Sequence, residues 1–267
     1  MTVGECLKYG SNEIGQRNTM LLICHLMGKN SAYIMLHHDL LLQKEAEFRY
    51  YVSRCKQGEP LQYIIGKWDF MGCTLKTDSR ALIPRPETEL LVEEALTFLQ
   101  TCSADKPRVL DMCTGSGCIA AAIARAGEYD VTAVDISQDA LELACENGNN
   151  LGINFVYSNL FNEVNGQFDL IISNPPYITT SEMAALSPTV SAYEPHLALH
   201  GGQDGMDIYR RLIPDSLKFL QPGGALFLEI GPAYVKDIMI ESGFANVNIK
   251  RDYAGLDRIV YGYSPIK

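Results

Sequence analysis

Apolar residues in the first sixty positions recur at helical spacing. Leu41, Phe48, Val52 and Cys55 fall at i, i+7, i+11 and i+14, which places them on one helical face. Turn residues such as Gly10-Ser11 and Gly28-Lys29-Asn30-Ser31 divide the stretch into short pieces, so residues 1–60 read as a small helical bundle. From Tyr63 to Thr77 the pattern changes to extended apolar and aromatic segments around Gly66 and Met71-Gly72, and a hairpin connector is expected over residues 61–82. A helix should follow in Ile83-Pro84-Arg85-Pro86-Glu87-Thr88-Glu89, where a proline and two acids suit a first turn. Its apolar stripe is Leu91, Ala95 and Phe98.

Beyond Pro107 strands and helices alternate. Strands are expected at 109–111, 131–135, 154–158, 169–173, 225–230, 247–250 and 258–263, and helices at 118–125, 138–147, near 206–220 and near 234–242. Alternation of this kind predicts an α/β domain over residues 83–267 with a doubly wound, mostly parallel seven-stranded sheet of Rossmann-like type. The last two strands are joined by a short turn at Tyr253–Leu256, so they should form an antiparallel hairpin at one edge.

Composition narrows the function. The chain has 267 residues, 47% hydrophobic and 20% charged, the profile of a folded globular protein rather than a disordered or coiled-coil one. Its net charge is −10, without a basic cluster, which opposes direct binding of nucleic acid. The imbalance lies in the later part: residues 1–60 carry seven Lys+Arg against six Asp+Glu, leaving fifteen against twenty-six for the remainder. An acidic later part suits a basic partner better than bare nucleic acid. Eight cysteines stand without a C-x-x-C pair or a neighbouring histidine at ligand spacing, so neither a metal site nor a disulfide framework is indicated, and a reducing cytoplasm is the expected compartment. The first ten residues lack the apolar core of a signal peptide, and nowhere do ~18 apolar residues run together, so no membrane span is expected.

The strand ending in Asp111 runs through Met112-Cys113-Thr114-Gly115-Ser116-Gly117 into a helix. Such a turn presents backbone N–H groups and a helix N-terminus to a ligand. Twenty residues after Gly115, Asp135 ends the next strand, where a carboxylate can accept hydrogen bonds from both hydroxyls of a ribose. Together these residues describe a site for an adenosine-containing cofactor.

Asn174-Pro175-Pro176-Tyr177 follows the apolar strand 169–173 and so lies at the carboxyl end of the sheet, where open α/β folds bind their ligands. An amide or exocyclic amino nitrogen is a poor nucleophile, because its lone pair is delocalised. The Asn174 side-chain oxygen and the Pro175 carbonyl can each accept one N–H of a substrate –NH₂ and turn its nitrogen toward a methyl donor. The prolines stiffen the loop and remove donors from it, and Tyr177 offers a flat face for a planar group.

In these residues the chain resembles the release-factor glutamine methyltransferase family. The resemblance is carried by Ile83–Glu89, Asp111–Gly117, Asp135, Asn174–Tyr177, Tyr193-Glu194-Pro195 with Ala198-Leu199, and Arg251-Asp252-Tyr253, and it spans the chain from about Pro60 to Tyr263. It implies a class I S-adenosylmethionine-dependent fold that methylates the glutamine amide in the Gly-Gly-Gln loop of peptide-chain release factors. By the same resemblance Cys113, Thr114, Gly115, Ser116 and Gly117 line the cofactor, Asp135 holds its ribose, and Asn174, Pro175, Pro176 and Tyr177 bind the amide. The protein partner would be a release factor, and the chain is expected to act as a monomer with its helical N-terminal domain for docking. There are two departures from the family: Cys113 stands where glycine is usual, and Asn159 and Leu160 stand where an acid and often an aromatic are usual beside the adenine. The rival reading is a methyltransferase for an exocyclic amino group of a DNA or RNA base, since that nitrogen poses the same problem.

Other residues carry two readings each. Arg85, Glu87 and Thr88 either close over the site or only start a helix. Glu194 before Pro195 reads as a loop anchor, His196 and His200 as loop-packing residues, and Gly201-Gly202-Gln203 as a glycine turn that happens to copy the expected substrate motif.

Overall fold

The computed structural model describes residues 1–231 and 234–266. They form two compact units, one of Met1–Lys67 with Ser187–Tyr193 and one of Trp68–Leu186 with Glu194–Lys267.

The first unit is helical: α1 (Val3–Ile14), α2 (Gln16–Met27), α3 (Ser31–Leu36), α4 (Glu45–Lys56) and α5 (Leu61–Ile65), together with Pro188–Tyr193, which is α10 in chain order. Local chemistry sets the boundaries. Thr2 and Glu5 form a reciprocal capping box on α1, Asn30 caps α3, and Gly15 and Gly28 take the positive φ angles that end α1 and α2. The core gathers Val3, Cys6, Leu22, Ile23, Phe48 and Val52. Two expectations change. Leu41 precedes α4 and is exposed, pairing instead in an isolated bridge with Thr2, because the helix does not begin until Glu45. Residues 61–65 are helical rather than extended, started by Pro60 at φ −57° and closed by Gly66 at φ +75°.

The expected hairpin begins later, as β1 (Lys67–Phe70), all but its first residue in the second unit, and β2 (Cys73–Lys76), turning through Met71 and Gly72 at positive φ. The remaining elements of the second unit are α6 (Pro86–Leu99), β3 (Arg108–Met112), α7 (Cys118–Ala126), β4 (Asp130–Asp135), α8 (Gln138–Asn147), β5 (Asn154–Tyr157), β6 (Phe168–Ser173), α9 (Thr180–Met183), α11 (His196–Leu199), α12 (Tyr209–Phe219), β7 (Leu220–Glu229), α13 (Val235–Ser242), β8 (Ala245–Arg251) and β9 (Asp257–Tyr263). Among the described residues the main sheet has seven strands in the order β5-β4-β3-β6-β7-β9-β8, parallel except for β9, which runs antiparallel to both neighbours.

Alternate strand residues enter opposite cores, which is why these strands read as continuous apolar runs. Val109, Leu170, Ile172, Ala225 and Phe227 pack with α6 and α7, whereas Leu110, Met112, Ile171, Leu226 and Leu228 pack with α12 and α13. Strand order reverses between β3 and β6. Open sheets bind ligands at the carboxyl ends of the strands at such a switch point, and the two chemistry-bearing loops leave β3 and β6.

Candidate active site

Asp111, at the end of β3, is fully buried, and one of its carboxylate oxygens, Oδ2, accepts from Thr114 Oγ1 at 2.5 Å and from the Ala120 N–H at 3.1 Å. The acid thus organises both the turn and the N-terminus of α7. Its other oxygen has no partner among the described residues, and burial pushes its pKa up to about 7. Gly115 and Gly117 take φ +55° and +78°; a Cβ on Gly117 would meet Ala144 at 3.0 Å, whereas one on Gly115 would meet nothing within 4 Å. The Gly115 backbone therefore faces open space. Cys113 stands at φ +61°, a left-handed value that disfavours any residue with a Cβ by roughly 1 kcal/mol, and burial raises its thiol pKa, as suits an inert cysteine.

Asp135 ends β4. Its Oδ2 accepts the Gly115 N–H at 2.8 Å and its Oδ1 the Ser137 N–H at 2.9 Å, which fixes the carboxylate while leaving lone pairs for a ligand. Its pKa is raised by burial, against the pull of those backbone donors. In the loop after β5, Ser158 Oγ donates to the Leu160 carbonyl at 2.7 Å, and Leu160 takes φ +52°. Asn159 Oδ1 accepts from Arg211 at 2.8 Å, so its amino group is the part left to donate.

These loops surround a cavity of about 330 Å³, with Gly115, Ser116, Asp135, Ile136, Asn159, Leu160 and Asn174 in its wall. The cavity suits a nucleoside-bearing sulfonium. It has an open glycine backbone, a carboxylate with spare lone pairs, apolar walls at Ile136 and Leu160, and a buried Ser116 hydroxyl without a partner among the described residues. Of the sequence-derived cofactor residues, Cys113, Thr114, Gly115, Ser116, Asp135, Asn159, Leu160 and Asn174 all line it, whereas Gly117 contributes as the left-handed N-cap of α7.

Asn174 and Pro176 reach the same cavity. Asn174 Nδ2 donates to Thr88 Oγ1 at 3.1 Å, and Thr88 Oγ1 donates to Glu229 Oε2 at 2.6 Å. The Tyr177 hydroxyl lies 3.5 Å from Glu229 Oε1, and burial pushes its pKa up to about 12, so the ring stays neutral. Beyond the loop, Ile178 donates its N–H to Leu199 and accepts from Gly201 N, both at 2.9 Å. Gly201 lies so close that a Cβ there would stand 2.7 Å from the Pro176 oxygen and from Tyr177 Cα. That close approach accounts for the first glycine of Gly201-Gly202-Gln203.

Thr88 and Arg85 both line the cavity, Thr88 also meeting Asn174; one guanidinium nitrogen of Arg85, Nη2, reaches both carboxylate oxygens of the buried Glu194 at 2.6 and 2.7 Å, and Glu194 also accepts the Ile83 N–H. Glu194 is a loop anchor, as expected. His200 Nε2 meets Thr180 Oγ1 at 2.9 Å, a packing contact within the loops. Asp111 and Glu229 were not singled out as site residues by the sequence; the acid closing β3 was a usable signal, but nothing local marks Glu229.

A mostly parallel sheet with a cavity at its switch point, a glycine turn answered by an acid ending the next strand, and a proline-stiffened loop on the neighbouring strand together define a class I S-adenosylmethionine-dependent methyltransferase. Comparison with known proteins agrees and narrows the class. Residues 88–191 match the methyltransferase small domain, and residues 5–66 match the PrmC N-terminal domain. The release factor glutamine methyltransferase of Thermodesulfovibrio yellowstonii is 38% identical over 253 residues, covering 91% of this chain and 91% of that one. A methyltransferase from Pyrococcus furiosus superposes with a TM-score of 0.52 at 19% identity, over 85% of this chain and 100% of its own. The Thermus thermophilus 16S rRNA N2 G1207 methyltransferase, solved with S-adenosylmethionine and guanosine, does so with a TM-score of 0.54 at 18% identity, over 74% and 49%. Those two likenesses describe the fold. The chain belongs to the release factor glutamine methyltransferase family.

Proposed function

We propose that this site transfers a methyl group to the side-chain amide nitrogen of the glutamine in the Gly-Gly-Gln loop of a peptide-chain release factor, in the cytoplasm. The single observation that carries this reading is the state of Asn174: it lines the cavity, its amino group is committed to Thr88, and its Oδ1 receives no donor among the described residues. An uncommitted acceptor beside the cofactor cavity is what a substrate –NH₂ needs.

Bound S-adenosylmethionine would be held by Asp135 and the Gly115 backbone, and it supplies a methyl group made electrophilic by the adjoining sulfonium. The chain's own residues do the positioning. Asn174 Oδ1 and the Pro175 carbonyl accept one amide N–H each, the neutral Tyr177 ring supports the amide plane, and the nitrogen is left facing the methyl group. The alkylated nitrogen then gives up its surplus proton to water, so the site needs acceptors rather than a strong base. Pro175 and Pro176 have no N–H with which to compete.

The test offers radiolabelled S-adenosylmethionine with a release factor, with its Gln→Ala variant at the Gly-Gly-Gln loop, and with total RNA and DNA separately. Label confined to the intact release factor is expected. Label on nucleic acid alone would move the same chemistry onto a base and refute the protein substrate.

A further inference from the structure

The Asn174 carboxamide has two ends that differ in chemistry and hardly at all in shape. Only one orientation serves the reaction: with Oδ1 toward the substrate the loop accepts an N–H, whereas with the amino group there two donors face each other. Nothing in the Asn-Pro-Pro-Tyr loop itself chooses between them.

We propose that Thr88 and Glu229 are positioning residues whose proton order fixes the Asn174 amide with its oxygen toward the substrate. This rests on the reading of Asn174 as the amide-holding group. Glu229 is 2% exposed, and as a carboxylate it can only accept. Thr88 Oγ1 has a single proton, and at 2.6 Å it is given to Glu229. Toward Asn174, 3.1 Å away, the hydroxyl oxygen can therefore only accept, so the group placed against it is the amino group. One buried charge thus polarises a chain of three side chains, and its far end is the catalytic acceptor. The same carboxylate faces the Tyr177 hydroxyl with its other oxygen, so it steadies both ends of the loop.

Protonation of Glu229 releases the order. The neutral acid can donate to Thr88 as well as accept from it, and where it donates, Thr88 donates to Asn174 and the amide turns its amino group to the substrate. The charged and titratable groups around Glu229 are Glu87 on α6, Tyr177, Arg258 on β9, Tyr209 on α12, whose hydroxyl donates to the Glu229 carbonyl, and Cys118 on α7. Arg258 favours the carboxylate. Burial opposes it and is the larger influence, so loss of the productive orientation should set in above the ordinary glutamate range as pH falls.

The experiment compares wild type, Thr88→Val, Thr88→Ser and Glu229→Gln in the full-length protein at saturating S-adenosylmethionine, with the release factor varied. Thr88→Val keeps the shape but cannot relay, and should lower kcat about tenfold or more while the donor affinity stays within about twofold. It should also erase the acid limb of the kcat profile that depends on Glu229. Thr88→Ser should restore both the rate and that limb, and Glu229→Gln, which permits either order, should give a reduced rate without it. Wild-type kcat in Thr88→Val, an acid limb of unchanged midpoint in that variant, or no recovery with serine would each overturn the proposal. A readout independent of substrate is the proximity of the Asn174 amide protons to the Thr88 methyl group in NMR spectra of the wild type, expected as a clear cross-relaxation signal. Its absence refutes the orientation directly. A signal present while the release factor takes no label refutes the substrate instead.

Discussion

Gly201→Ala tests whether the backbone position of the Asn-Pro-Pro-Tyr loop, rather than its residue content, sets the rate. The new methyl group would stand 2.7 Å from both the Pro176 oxygen and Tyr177 Cα, and 3.0 Å from Gly205 Cα. Ordinary contacts begin at 3.4 Å, so the loop must yield by about 0.7 Å, the difference between those distances. The obstructing atoms are all backbone, and no rotamer change relieves them. Nor can residue 201 retreat cheaply, since its N–H donates to Ile178 at 2.9 Å and its carbonyl accepts from Asp207 at 3.0 Å. Overpacking of this kind costs roughly 1 to 3 kcal/mol of stability. Because a misplacement of about 1 Å can cost ~10²-fold in rate, kcat should fall about 10- to 100-fold. Donor affinity should hold within about threefold, because Gly115 and Asp135 reach the cavity from other strands. Initial rates at saturating donor, calorimetric titration of S-adenosylmethionine and urea denaturation give the three numbers separately. A variant that loses stability but keeps kcat within twofold would refute catalysis by loop position.

Two further predictions concern the buried acids. Asp111 has a folded-state pKa of about 7 against an ordinary 3.8, so the folded state holds the proton more tightly and stability is lost as pH rises toward 7. Between pH 5 and 7 this amounts to roughly 2 kcal/mol. Asp111→Asn should flatten that fall in denaturation measured at pH 5 and 8.5, and parallel losses in the two proteins would contradict the raised value. Asp135→Ala removes the acceptor proposed for two ribose hydroxyls, worth roughly 3 kcal/mol together; calorimetry should show the dissociation constant of S-adenosylmethionine rising about a hundredfold, and an unchanged constant would remove Asp135 from the ribose.

What the sequence made legible is what repeats locally. Continuous apolar strands alternating with amphipathic helices carry the sheet type and the number of its strands, though not their order, and the acceptor loop is visible because proline and asparagine state their chemistry wherever they stand. The misreadings have local causes too. Leu41 satisfies helical spacing arithmetically but lies before α4, and Pro60 with Gly66 makes a helical turn of residues that look extended. The segment 187–193 groups with the helical unit without any shift in composition to announce it. Hidden altogether was the partner of Thr88. Glu229 is 141 positions away, and only the packing of α6 against β7 brings them together.

That separation bears on how the reaction is catalysed. An amide nitrogen gains little from a base, so the site works by holding one group still, and the loop that holds it is secured from several directions by residues remote in sequence. Ser173 Oγ ties the end of β6 to the Met112 carbonyl of β3 at 2.5 Å, Ile178 pairs with the stretch at 199–201, and Glu229 closes the far side through Thr88 and Tyr177. The first tie is made at the switch point, between the strands that carry the two loops; the others come from the 199–201 stretch and from the end of β7. Rigid prolines alone would leave the loop free to pivot about its ends; rigidity within the loop and ties around it are separate requirements. Burying Asp111 and Glu229 and half-burying Asp135 opposes folding at neutral pH, as the raised pKa of each shows. In the proposed mechanism the same carboxylates set the turn, the ribose acceptor and the proton order, so their placement is explained by the reaction rather than by stability.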